Sequence, residues 1–122
     1  MKNAISWFEI PVENFERAKN FYEAVFQADM PVMEMGEAIS AFFPADLQEG
    51  IGGCIIKTDG HEPNTNGVLV YLNGGDDLDV PLGRVEAAGG KVILPKTDIG
   101  ENGFMAYFLD TEGNRVAFHS RG

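Results

Sequence analysis

Apolar and polar residues alternate with two different periods along this chain, and the switches between them set out its elements. From Ile5 to Val12 (ISWFEIPV), Phe8, Ile10 and Val12 fall on one face, while Trp7, Glu9 and Pro11 fall on the other. That period of two predicts a strand. Pro11 lacks an N–H and belongs near a strand end or at an edge. In ENFERAKNFYEAVFQAD the period lengthens: Phe15, Ala18, Phe21, Tyr22, Val25 and Phe26 recur at steps of three and four, and Asn14 is placed to cap the helix they predict. Three short strands follow, PVMEMG, AISAFFPA and IGGCIIKT, with turns at Gly36-Glu37 and Asp46 to Gly50. DGHEPNTN, residues 59–66, is polar and reads as a linker.

Then the order begins again. Gly67 to Asn73 predicts a strand. Asp76 to Ala88 predicts a helix with Leu78, Leu82 and Val85 inside, Asp76 or Asp77 as cap, Pro81 in its first turn and Gly89-Gly90 at its end. Strands are predicted at Lys91 to Pro95, Gly103 to Asp110 and Asn114 to Ser120. The chain is therefore read as an α+β fold of two βαβββ units in one domain: about 1–58, a linker 59–66, and about 67–122. A faint internal repeat accompanies the order of elements. Ala41-Phe42-Phe43 matches Ala106-Tyr107-Phe108, and Glu49-Gly50 matches Glu112-Gly113. This sets Gly52 against Arg115, Cys54 against Ala117, and Ile56 against His119.

Composition narrows the function classes. The 122 residues carry 9 Lys and Arg against 19 Asp and Glu, a net charge of −10 with no basic run. Nucleic-acid and anionic-membrane partners are not expected, because both need clustered cations. No apolar stretch approaches the ~20 residues of a membrane span. MKNAISWFEI shows no leader-like apolar run, and one cysteine, Cys54, allows no internal disulfide; a cytoplasmic protein is the expectation.

Two motifs carry a family resemblance: P-V-x-x-F-x-R-A-x-x-F-Y, beginning at Pro11, and F-x-D-x-x-G-N-x-x-x-x-H, ending at His119. With GVLVYLNGGDDLDVPLGRVEAAGGKVILP between them, the chain resembles the vicinal-oxygen-chelate superfamily of glyoxalase, bleomycin-resistance and dioxygenase proteins, in particular short members related to lactoylglutathione lyase. The resemblance implies a cup-shaped mixed sheet with helices on its outer face. It also implies, in metal-dependent members, a divalent ion held by His, Glu or Gln from the first and last strand of each unit. Carried over, those positions fall on Trp7, Cys54, Val68 and Ala117, so no metal and no other cofactor is expected.

Period-two geometry then predicts the cup lining: Trp7 and Glu9 from the first strand, Gly52, Cys54 and Ile56 from the fourth, Val68, Val70 and Leu72 from the fifth, and Arg115, Ala117 and His119 from the last. Greasy walls with sparse polar groups describe a small-molecule pocket. Glu9 and His119 are the candidate acid and base, expected to meet across the floor. Trp7 is placed to stack on a ligand, and Arg115 to pair with a ligand carboxylate or with Glu9. Cys54 and His61 carry bland expectations, a buried thiol and a solvated ring. The loop Thr97 to Asn102 is expected over the cup mouth. Three functions stay open: a metal-free binding protein like the antibiotic-sequestering members, a metal-dependent lyase, isomerase or dioxygenase, and a metal-independent enzyme using Glu9 and His119. A homodimer is expected from open sheet edges.

Overall fold

The computed structural model describes residues 2–122; Met1, the first residue of the predicted first unit, lies outside them. Helix α1 (Phe15–Phe26) begins where Asn14 Oδ1 accepts from the Arg17 N–H at 3.0 Å. It ends on Gln27, in the left-handed region at φ 52°, while Arg84 Nη1 donates to the Val25 carbonyl at 3.0 Å. Its predicted stripe is the core: Phe15, Ala18, Phe21, Tyr22 and Val25 are buried, and Phe26 packs edge-on against Phe43 and Phe118. Each such ring or branched side chain contributes about 1.5–3 kcal/mol on leaving water.

Around it stand two four-stranded mixed sheets of the same topology. In the first, β1 (Phe8–Pro11) lies parallel to β4 (Gly53–Lys57), followed by antiparallel β3 (Ala38–Phe42) and β2 (Val32–Met35). In the second, β5 (Tyr71–Asn73) lies parallel to β8 (Arg115–Ser120), followed by antiparallel β7 (Phe104–Leu109) and β6 (Lys91–Asp98). The internal repeat lands in register. Ala41 pairs with Ile55 as Ala106 pairs with Phe118, and Phe42 pairs with Cys54 as Tyr107 pairs with Ala117. The Val12 N–H donates to the Ile56 carbonyl at 2.9 Å, and the Gly74 N–H donates to the His119 carbonyl at 2.7 Å.

The two motifs turn out to be the clasp between the units. The Tyr22 hydroxyl donates to Asp110 Oδ2 at 2.8 Å. Asn114 Nδ2 donates to the Pro11 carbonyl at 2.7 Å, and Arg17 Nε donates to Glu112 Oε2 at 2.8 Å. Burial pushes the Asp110 carboxyl above the usual carboxylate range, even though donors from Asn114, Tyr22 and Glu112 oppose it.

Four expectations need correction. The predicted helix over 76–88 keeps only α2 (Asp79–Leu82), and residues 83–89 continue as turns. Gly83 and the Gly89-Gly90 pair weaken helical propagation there, and the remaining bonds mix three- and four-residue spacing, as in Arg84 N–H to Pro81 and Ala88 N–H to Arg84. The fifth strand, expected over 67–73, pairs only at Tyr71–Asn73 and shows the opposite face. Leu72 is buried in the core while Tyr71 and Asn73 point away from it. GVLVYLN is apolar at nearly every position, so alternation cannot choose its face, and the ladder Tyr71 to Ala117 makes the choice. β6 runs on through Pro95 to Asp98, because it is an edge strand with two register shifts and tolerates a missing N–H. The expected cover loop is thereby reduced to a 3-10 turn at Gly100–Asn102.

Candidate functional site

The faces turned away from α1 carry the predicted lining of β1, β4 and β8 but not that of β5, and each sheet has the same arrangement there. In sheet one the ladder sets Glu9, Cys54 and Phe42 side by side. Trp7 lies over this row: a Cβ placed on Gly52 would sit 3.2 Å from its ring, and it meets Phe42 edge-on at 5.6 Å. Cys54 beneath is buried; burial, with the Glu9 charge second, pushes its thiol up to about 11. In sheet two the corresponding row is Tyr71, Ala117 and Tyr107. The two phenols approach above Ala117, with hydroxyls 3.4 Å apart, and Ala117 has no exposure. The contact with Tyr107 and partial burial hold the Tyr71 hydroxyl above the usual tyrosine range, while the Arg115 charge acts the other way.

These rows decide whether the residues fit a divalent ion. The same ladder positions make Leu69, rather than Val68, the counterpart of Trp7 in the second unit. An indole N–H, an aliphatic chain and a buried methyl offer no lone pair, and the one thiol, Cys54, does not make a metal site by itself. The donor set does not fit the metal that the fold implies. Among the described residues no group of three or more His, Cys, Asp or Glu side chains is close enough to hold a metal ion.

Glu9 and His119 are not brought together. The Glu9 carboxylate lies 3.5 Å from His61 Nε2, and the His61 ring is exposed, as expected. His119 Nε2 lies 2.7 Å from the Asn102 carbonyl. A carbonyl only accepts, so Nε2 carries the proton and the neutral ring keeps its lone pair on Nδ1. The separation follows from placement: Glu9 stands beside Cys54 in one sheet, and His119 between Asn73 and Met105 in the other. The expected Arg115–Glu9 bridge is also absent among the described ion pairs.

The hollows gather around β5. On one side, a crevice of about 540 Å³ is walled by Ile5, Phe8, Phe26, Phe43, Leu69 and Val70. On the other, an open hollow of about 970 Å³ is lined by Asn73, Ile99, Asn102 and His119. Tyr71, Leu72, Asn73 and Gly75 border both. Val68, 94% exposed, stands on the crevice rim, and Val70 is half-buried between the crevice and a cavity of about 40 Å³ that Glu9 and Arg115 also line. A groove of about 920 Å³ at the start of α1 has walls of Glu13, Glu16, Asp59 and Glu62 and lacks a comparable apolar wall. Ile56, half-buried, lines none of these spaces among the described pockets.

Sequence reasoning missed Tyr71, Asn73 and Tyr107. The internal repeat held the signal for Tyr107, since matching Phe42 to it places a phenol beside Ala117.

A profile of the Glyoxalase/Bleomycin resistance protein/Dioxygenase superfamily matches residues 4–118. The chain belongs to that superfamily. "Putative glyoxylase CFP32" of Mycobacterium bovis is 27% identical over 124 aligned positions, covering 91% of this chain and 43% of that protein. The chain thus spans less than half the length of the curated relatives it matches. Among solved structures, a glyoxalase/bleomycin resistance protein from Albidiferax ferrireducens superposes with a TM-score of 0.71 at 20% identity, covering 98% of this chain and 100% of that one. TnmS3, an antibiotic binding protein from Streptomyces sp. CB03234, superposes at 0.65 with 22% identity, covering 100% and 99%. At such identities the superpositions establish the fold. No helix of the described residues is long and apolar enough to cross a membrane.

Proposed function

We propose that this superfamily member binds a small organic molecule astride β5 without using a metal ion. The apolar part of the ligand enters the crevice of Phe8, Phe26, Phe43 and Leu69, and its polar part turns toward Tyr71, Asn73 and His119. The observation that carries this reading is the row Tyr71–Ala117–Tyr107. Where metal-dependent relatives hold a ligand on the last strand, this chain has a buried methyl roofed by two phenols. A volume of about 540 Å³ with mostly apolar walls suits a ligand of drug-like size. An antibiotic binding protein shares this fold, so the fold accommodates the binding class. The acid–base reading has no such support, because Glu9 and His119 have separate partners.

The test is a thermal-shift screen of aromatic fragments on protein stripped with EDTA, since a ligand specific to the native state raises Tm. Stabilisation that survives stripping supports the proposal; binding that requires restored metal sinks it. We place the protein in the cytoplasm, consistent with its free, buried Cys54. A homodimer is consistent with β2, an edge strand whose Val32, Met33 and Met35 are exposed, and light scattering tests it.

A further inference from the structure

We infer that Asn73 and His119 together read the edge of a neutral cyclic amide, an N–H beside a C=O, on the ligand. The inference rests on the binding site just described and names the chemical class of its occupant.

Both side chains line the open hollow of about 970 Å³. The β5–β8 ladder pairs Asn73 directly with His119, so the two side chains leave the sheet on one face. Adjacent strands stand about 4.8 Å apart, near enough for one small group to reach both. Each side chain has one polar atom tied to the backbone and one left over. Asn73 Oδ1 accepts from the Gly75 N–H at 2.9 Å, which fixes the amide and leaves Nδ2 to donate. His119 Nε2 donates to the Asn102 carbonyl at 2.7 Å, which leaves Nδ1 to accept. The one buried side-chain nitrogen without a partner among the described residues is Arg115 Nε, so the unpartnered Nδ1 of His119 is not sealed. Among the described pockets, His119 lines this hollow alone.

The surroundings hold the pair and narrow what it accepts. Gly103 packs so closely on the Ser120 carbonyl that a Cβ would collide with it, which keeps the Gly100–Asn102 turn, and the carbonyl that fixes the imidazole, against the end of β8. The Tyr71 hydroxyl donates to Met105 Sδ at 3.8 Å and supplies no second donor. Asp76 and Arg121 line the same hollow with one charge of each sign, so no excess charge selects an ion. A fixed donor beside a fixed acceptor matches a lactam, whose C=O meets Nδ2 and whose N–H meets Nδ1. A lactone or a carboxylate offers acceptors only, and one of its oxygens would face the Nδ1 lone pair.

The experiment uses ¹⁵N-labelled full chain at about pH 8, where an ordinary imidazole is neutral. Its probes share one shape: the lactam isoquinolin-1-one and the lactone isocoumarin, in which a ring oxygen replaces the N–H. The Nδ1 resonance of His119 is told from that of His61 by its loss in His119→Phe. It should move upfield with the lactam and not with the lactone, and the lactam should bind about tenfold tighter. His119→Phe should bring the two affinities within about twofold. Asn73→Asp keeps the acceptor for the Gly75 N–H but loses the donor, and should weaken both probes about tenfold. Should either variant unfold, the wild-type resonance and the wild-type preference still decide. Equal binding of lactam and lactone with a still resonance overturns the amide edge and leaves the crevice reading standing. A preference that survives His119→Phe overturns the assignment to this pair, and failure of both probes to bind overturns both readings.

Discussion

Replacing Tyr22 by Phe tests whether the clasp between the units is energetic or merely geometric. Tyr22 has no exposure, and its hydroxyl donates to Asp110 Oδ2 at 2.8 Å. Asp110 keeps Asn114 Nδ2 at 3.0 Å and the N–H groups of Glu112 and Asn114 at 2.8 and 2.9 Å. The variant leaves the aromatic packing intact and removes one charge-assisted bond, worth about 1.5–3 kcal/mol. With ~2.1 cal/mol/K of unfolding entropy per residue, the 122 residues give ~0.26 kcal/mol/K, so Tm should fall by ~6–12 °C. Urea unfolding at pH 7 measures the free energy, and calorimetry the Tm. The pH dependence gives a second handle. Burial holds Asp110 above its ordinary value, so within that window the native state binds more protons than the unfolded chain, and stability falls as pH rises. Removing the Tyr22 donor raises Asp110 further, so the deficit of Tyr22→Phe should grow from acid toward neutral pH. A loss under ~0.5 kcal/mol, or an effect additive with Asp110→Asn in a double-mutant cycle, would refute the reasoning.

Three further outcomes are expected. Burial pushes Glu112 upward, but bonds from Arg17, Asn14, Glu13 and Thr111 prevail and hold it below the ordinary glutamate value. Its stabilisation is therefore present above that value and lost as pH falls through the lower folded one. Glu112→Gln should cost ~1–3 kcal/mol at pH 7 and flatten the acid limb of a Tm–pH profile; an unchanged limb counts against it. Gly103 has φ 105°, and a Cβ there would collide with the Ser120 carbonyl, so Gly103→Ala should lower stability by ~2 kcal/mol or more in urea unfolding. Ala117→Glu should destabilise by ~3 kcal/mol or more, by forcing a charge beneath two phenols. It should gain no tight zinc site; calorimetric titration showing micromolar affinity would contradict the account of the Tyr71–Ala117–Tyr107 row.

The sequence by itself determined the order of elements, the buried stripe of α1 and the repeat register that matches Cys54 with Ala117. These depend on local period, on Asn14 as a cap and on turn residues, all readable without knowing what packs where. Tertiary structure alone decided the rest. Gly67 to Asn73 is apolar at nearly every position, so only pairing with β8 could turn Tyr71 and Asn73 outward and Leu72 inward. Glu9 and His119 stand on strands predicted to share a floor, yet their partners are His61 and the Asn102 carbonyl, groups brought near by loops with no periodicity to read. Arg115 could have met Glu9, and whether a long side chain finds its partner is settled by a few ångströms of packing that a one-dimensional pattern does not encode.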